Sequence, residues 1–144
     1  MAAVIRALLS ILAGMTLAGG LVIAVEAFSA IVHPTPPGFT GTQEEMCEHV
    51  AHYPQWVLAV VVVAWSATAL VSTWVATRLG GRIPGVVVAL LLLCAVALNV
   101  AMLPYQTWFK ATVLACIPIA CFFGISLPSR PRLKGRTAEP VPAE

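Results

Sequence analysis

The sequence predicts an all-α integral membrane protein, an antiparallel four-helix bundle with a short helix in its outer loop. Three observations carry that prediction. The first is composition: of 144 residues, 60% are hydrophobic and 10% charged, and the mean hydropathy is +0.93. Soluble domains carry about 25% charged residues. So few charges cannot cover a water-facing surface, and the bilayer is left as the solvent. The second is the presence of four apolar segments, each of about the 20 residues a helix needs to cross the hydrocarbon core. The third is the placement of basic residues, which fits an even number of crossings.

The first segment, residues 4–32, is uncharged from Ala7 to Val25 and is stopped by Pro34, Pro36 and Pro37. The ring of each proline fixes φ and removes an N–H. This segment also has the ingredients of a signal peptide: Arg6, an apolar stretch, and small residues near Ala27. Its uncharged run is longer than the about 7–15 residues of a signal core, so it is expected to be retained as a helix. The second segment covers residues 55–77. The third, residues 83–103, has Pro84 in its first turn, where the missing N–H is not needed. Pro104 separates it from the fourth, residues 105–127, which Pro118 should kink. Residues 1–128 thus form the membrane domain, and residues 129–144 are expected to be a disordered basic tail against lipid headgroups.

Arg6, Arg78, Arg82, Arg130, Arg132, Lys134 and Arg136 fall on one side of this arrangement, and Lys110 alone falls on the other. The positive-inside rule places both termini in the cytoplasm and the loop at residues 33–54 outside. A net charge of +2, with no basic run interleaved with aromatics, gives no reason to expect a nucleic-acid partner. No phosphate loop, nucleophile elbow, zinc-protease helix or paired CxxC is present.

Lipid tails are as apolar as leucine, so membrane helices associate through close backbone approach at small residues. Such residues recur at four-residue spacing: Ser10, Gly14 and Ala18; Ala64, Thr68, Ser72, Ala76 and Gly80; Thr112, Cys116, Ala120 and Gly124. The third segment is less regular, with Gly85, Ala89, Ala97 and Ala101. These stripes suit either a compact bundle or association between copies. Cys94, Cys116 and Cys121 are expected as small buried groups, and Cys47 alone falls in the outer loop. Tyr53, Trp56, Tyr105 and Trp108 read as an interfacial belt, and Trp65 and Trp74 as packing residues.

Ionisable groups within a membrane segment are costly and mark candidate functional residues. Glu26 stands 20 residues after Arg6, a climb of about 30 Å at 1.5 Å per residue, near the outer boundary. Asn99 near the end of the third segment and Lys110 near the start of the fourth lie at the same depth. Ser29 and His33 share the Glu26 face if the helix runs on. These residues are expected to line an outward-facing polar pocket centred on a Glu26–Lys110 pair, or else to reach headgroup water separately.

The outer loop is crowded: "EEMCEHVAHYPQW" holds three carboxylates, two imidazoles and a thiol. On a short helix Glu45, His49 and His52 share a face, and Glu48 pairs with His52 at i, i+4. Carboxylate oxygen and imidazole nitrogen suit a metal ion such as zinc. A solvated, amphipathic connector is the competing reading, with no cofactor expected.

"VHPTPPGF", a variable acidic stretch, "AW" in the second segment and "LNVAMLPYQTWF" closing the third together resemble a widespread set of small bacterial integral membrane proteins. That set carries a Pro-rich loop after a first-helix Glu, and an Asn followed by Pro and Trp between its last two helices. Glu26, Pro34, Pro36, Gly38, Asn99, Pro104 and Trp108 carry the match; His33 stands where the pattern has Tyr. The resemblance implies four helices and a bacterial inner membrane, not a reaction, and it favours Glu26, Asn99 and the Pro104–Trp108 turn over the loop histidines.

Three function classes follow. The first is a non-enzymatic accessory or interaction subunit with a membrane-protein partner. The second is a small transporter or channel component assembled as a homo-oligomer and using Glu26, Asn99 and Lys110. The third is a metal- or redox-handling protein working through residues 44–52.

Overall fold

The computed structural model describes residues 1–127. They are all-helical, 84% helix with no strand among the described residues. The helices are α1 (Ala2–Val32), α2 (Gln43–Ala51), α3 (Gln55–Gly80), α4 (Arg82–Met102) and α5 (Thr107–Ser126). All but α2 are long and apolar enough to cross a membrane. The basic tail expected at residues 129–144 lies outside the described residues.

The helix limits follow local chemistry. His33, at φ −140°, ends α1 just before Pro34. Gly81, at φ +93°, takes a left-handed conformation that costs a β-carbon-free residue little. It joins α3 to α4 with no further linker, and Pro84 falls in the first turn of α4. Leu103 is extended, as a residue preceding proline prefers. The fourth spanning helix continues through Pro118, whose side chain is exposed.

α3 is the hub. It packs against α1, α4 and α5, and α4 touches α1 and α5, whereas α1 and α5 do not pack on each other. Successive spanning helices are antiparallel, but α5 runs parallel to α3: Phe109 meets Trp65 at its start and Gly124 meets Leu70 and Thr73 at its end. This α3–α5 pairing replaces the α1–α5 contact that a simple ring of four antiparallel helices would make.

Small residues sit where the helices meet. Ser10, Gly14 and Ala18 are all buried, as are Thr68, Ser72 and Ala76, Gly85 and Ala89, and Ala120 and Gly124. A β-carbon on Gly14 would lie 3.0 Å from Ser72 O and 3.1 Å from Ala76 Cβ. The hydroxyls of Thr68, Thr73 and Thr77 donate to carbonyls four residues back, at 2.7–2.8 Å, which satisfies them without a partner helix. Ala97 and Ala101 on α4 are exposed, so the stripe there stops at Ala89. Cys121 is buried, Cys116 half-buried, and Cys94 exposed on the outer face of α4, not packed within the bundle.

Candidate functional site

The functional candidates collect at one end of the bundle, where α1, α4 and the loops around α2 and Pro104 meet. Here α2 lies across the helix ends as a roof. Thr42 and Glu45 form a reciprocal capping box: Glu45 N donates to Thr42 Oγ1 at 3.3 Å and Thr42 N donates to Glu45 Oε2 at 3.3 Å. This satisfies two donors that the helix start leaves free. The backbone N–H and hydroxyl of Thr40 also donate to Glu45 Oε2, at 2.9 and 2.8 Å. These bonds hold the Glu45 carboxyl below its ordinary range. Gln43 Nε2 donates to Met102 O at 3.3 Å and fastens α2 to the end of α4; Val50 is buried beneath it.

Below the roof lies a half-enclosed cavity of about 240 Å³. Its polar lining comes from Glu26 and Ser29 on α1, His49 and Tyr53 above, Trp65 on α3, Asn99 on α4, and Tyr105. A second cavity of about 160 Å³ continues along the helices between α1, α3 and α4, bordered by Val22, Thr68, Leu92, Val96 and Ile117. Glu26, Trp65 and Asn99 line both, so the two adjoin at these side chains and together make up the recess.

Two atoms at this junction are buried without a hydrogen-bond partner, Trp65 Nε1 and Asn99 Oδ1. Buried polar groups nearly always find one. Burial, reinforced by the negative charge of Glu26, pushes the Tyr105 hydroxyl far up; the same two causes raise Tyr53, against a bond with Ser29 that lowers it. Both phenols are therefore neutral donors facing the recess.

The sequence expectation is met unevenly. Glu26 and Asn99 come together, and Ser29 joins them from the same α1 face. Lys110 lines neither cavity, and the pocket is not centred on a Glu26–Lys110 pair. His33 leaves the Glu26 face because α1 ends at Val32. Its ring instead stacks on His49 with centroids 4.5 Å apart and tilts against Tyr53 at 4.8 Å. Trp56 and Trp108 are exposed, as a belt requires, with Trp108 Nε1 donating to Gln106 Oε1 at 2.6 Å. Tyr53 and Tyr105 turn inward. Trp65 was expected only to pack; its place at α3 beside Glu26 is what the sequence conceals, since nothing in an apolar helix reports which way an indole faces.

Glu45, Glu48, His49 and His52 border a surface hollow of about 420 Å³ together with His33, Pro34, Pro36 and Gly38. No three His, Cys, Asp or Glu groups among the described residues converge on a point that could hold a metal ion. Glu45 is engaged by the cap, and His52 Nδ1 lies 2.8 Å from Glu48 O. Burial, then the neighbouring His33 and His52, lower His49 below 6.5. Pro104 is exposed at the start of the turn that carries Tyr105 into the recess.

No protein-family model matches the chain, and no curated protein or solved structure matches it either.

Proposed function

We propose that this chain is a non-enzymatic, multi-pass protein of the bacterial inner membrane, with both termini in the cytoplasm. It acts as a small accessory or interaction subunit that recognises its target through the outward-facing recess. The membrane placement is supported by the four apolar helices and by Arg6, Arg78 and Arg82, which lie at the helix ends opposite the recess. One observation carries the recognition reading: Glu26, Trp65 and Asn99, from three helices, share a recess that leaves two buried polar atoms unpartnered. A structure that keeps such groups without a packing reward is holding them for something else.

The transporter reading has one feature in its favour, the length of the recess, which extends from the loops to Thr68 and Ile117. Beyond that level Gly14 sits against Ser72, Ala76 and Val88, which closes the seam between α1, α3 and α4 at this plane. On this reading transport runs between several copies. A metal or redox role through residues 44–52 would have to draw on donors beyond those that converge among the described residues.

The test is purification of the tagged protein from native membranes as wild type, Glu26→Gln, Asn99→Ala and, as control, Leu12→Ala on the exposed far end of α1. A contact to a charged group is worth about 1.5–3 kcal/mol, so partner recovery should fall about ten-fold with Glu26→Gln and stay at wild-type level with Leu12→Ala. Glu26→Gln should not lower the thermal midpoint, because no Lys or Arg among the described residues lines the recess with Glu26. Equal recovery from all four proteins would contradict the reading.

A further inference from the structure

Among the described residues, no Lys or Arg meets the carboxylate in the recess. Neither cavity lining contains Lys or Arg, and the one imidazole present, His49, borders only the upper cavity. An ionised carboxylate in apolar surroundings is expensive unless it is paired. Among its otherwise largely aliphatic neighbours the lining holds groups a cation can use: the rings of Tyr53, Trp65 and Tyr105, since aromatic faces attract positive charge, and the amide of Asn99. Rotating that amide about its last torsion exchanges oxygen for nitrogen and presents the unpartnered oxygen to the cavity.

The route in is lateral. Glu26, Val22 on α1 and Ala95 on α4 border the lower cavity and are all exposed. Leu91 and Leu98 on the adjoining α4 surface are exposed too. The recess therefore opens between α1 and α4 onto an apolar surface, at the depth of Glu26. The upper cavity carries most of the polar and aromatic groups among aliphatic side chains, and the lower is bordered mainly by aliphatic ones.

We propose that the recess binds the ammonium head of a membrane-dissolved amphiphile that enters between α1 and α4. Glu26 is its counter-ion, the Trp65, Tyr53 and Tyr105 rings are its cation–π faces, and Asn99 accepts an N–H from it. Two acceptors at the site favour an ammonium that carries N–H over a quaternary one. The first methylenes of the tail occupy the lower cavity, and the remainder stays in lipid. This inference rests on the membrane placement and on the recess as the working site.

The experiment uses the full chain in phosphatidylcholine vesicles, with Trp56→Phe, Trp74→Phe and Trp108→Phe so that Trp65 alone emits. Dodecylammonium should give a saturable change in Trp65 emission, and dodecanol should not. Adding Glu26→Gln should weaken the ammonium response about ten-fold or more, the loss of one charge-assisted contact. Where the triple variant does not fold, dodecylammonium should raise the thermal midpoint of the otherwise wild-type protein and leave that of Glu26→Gln unchanged. Replacing part of the phosphatidylcholine with phosphatidylethanolamine separates two sources. Competition identifies a lipid headgroup as the occupant, and its absence identifies a free amphiphilic amine. An equal response from dodecanol, or an unchanged one in Glu26→Gln, overturns the proposal. If partner recovery still depends on Glu26 in that case, the recognition reading stands without it; if neither depends on Glu26, both fall.

Discussion

Single atoms decide how closely these helices approach. A β-carbon on Gly124 would collide with Thr73 Oγ1 and lie 2.5 Å from Leu70 O and 3.1 Å from Trp74 N. Backbone atoms cannot move aside without separating α5 from α3, the contact that organises the bundle. Gly124→Ala should therefore destabilise the protein by about 1–3 kcal/mol, the usual cost of overpacking. Gly19, with nothing within 4 Å of its would-be β-carbon, should tolerate alanine at no cost. Denaturant titration of both variants in the same detergent checks the contrast, and equal stabilities would remove the close-packing account. Much of this was legible: Ser10, Gly14 and Ala18 read as one contact face and are buried as one. What the sequence hides is rotation. Tyr53 and Tyr105 look like belt residues because they flank prolines at predicted helix starts, and only the packing turns them beneath α2. Lys110 is at the expected depth on its helix but on a face that misses the recess.

At the scale of an element, α2 is the helix least packed on the others: it is tethered by bonds from Gln43 and Cys47 to Met102 O, by the His49 ring against His33 and Tyr53, and by the buried Val50. Thr42→Ala removes both the acceptor for Glu45 N and the local order that brings Glu45 back, at a cost of about 1 kcal/mol. Hydrogen exchange of residues 43–47 should rise accordingly while α3 is unchanged. Acid acts on the same element. With His49 lowered below 6.5, the docked α2 holds a neutral ring and the undocked one binds more protons, so docking weakens as pH falls through and below 6.5. His33 and His52 lie beside His49 and disfavour its charged form. Glu45, lowered below 4.5, keeps its capping charge through that window and is lost only at lower pH. Protection factors in α2, which remove the base-catalysed change in intrinsic exchange rate, should therefore be lower at pH 5 than at pH 7.5, and His49→Phe should remove most of the difference. A pH-independent α2 would contradict this. The loop histidines read from sequence as a metal face; their spacing was legible, but the competing use of Glu45 as a cap depends on Thr40 and Thr42 folding back.

For the whole molecule, the fold class and the number of spanning helices were legible because prolines, Gly81 and the apolar lengths mark them directly. The arrangement was not. In a soluble helix the polar face tells which side is outward, but nearly every position of α4 and α5 is apolar, and lipid and protein interior are chemically alike. Hence the parallel packing of α5 on α3, and the gap it leaves along α1 and α4, had no signal in the residues. That gap forms the recess. Its outward orientation is the central claim, and it is tested most directly by labelling position 26. With Cys47, Cys94, Cys116 and Cys121 replaced by Ser or Ala, the Glu26→Cys protein should react with a small, membrane-impermeant methanethiosulfonate added to intact cells, and should be protected in inverted membrane vesicles. Reaction from the cytoplasmic face alone, or from neither, would contradict an outward-facing recess.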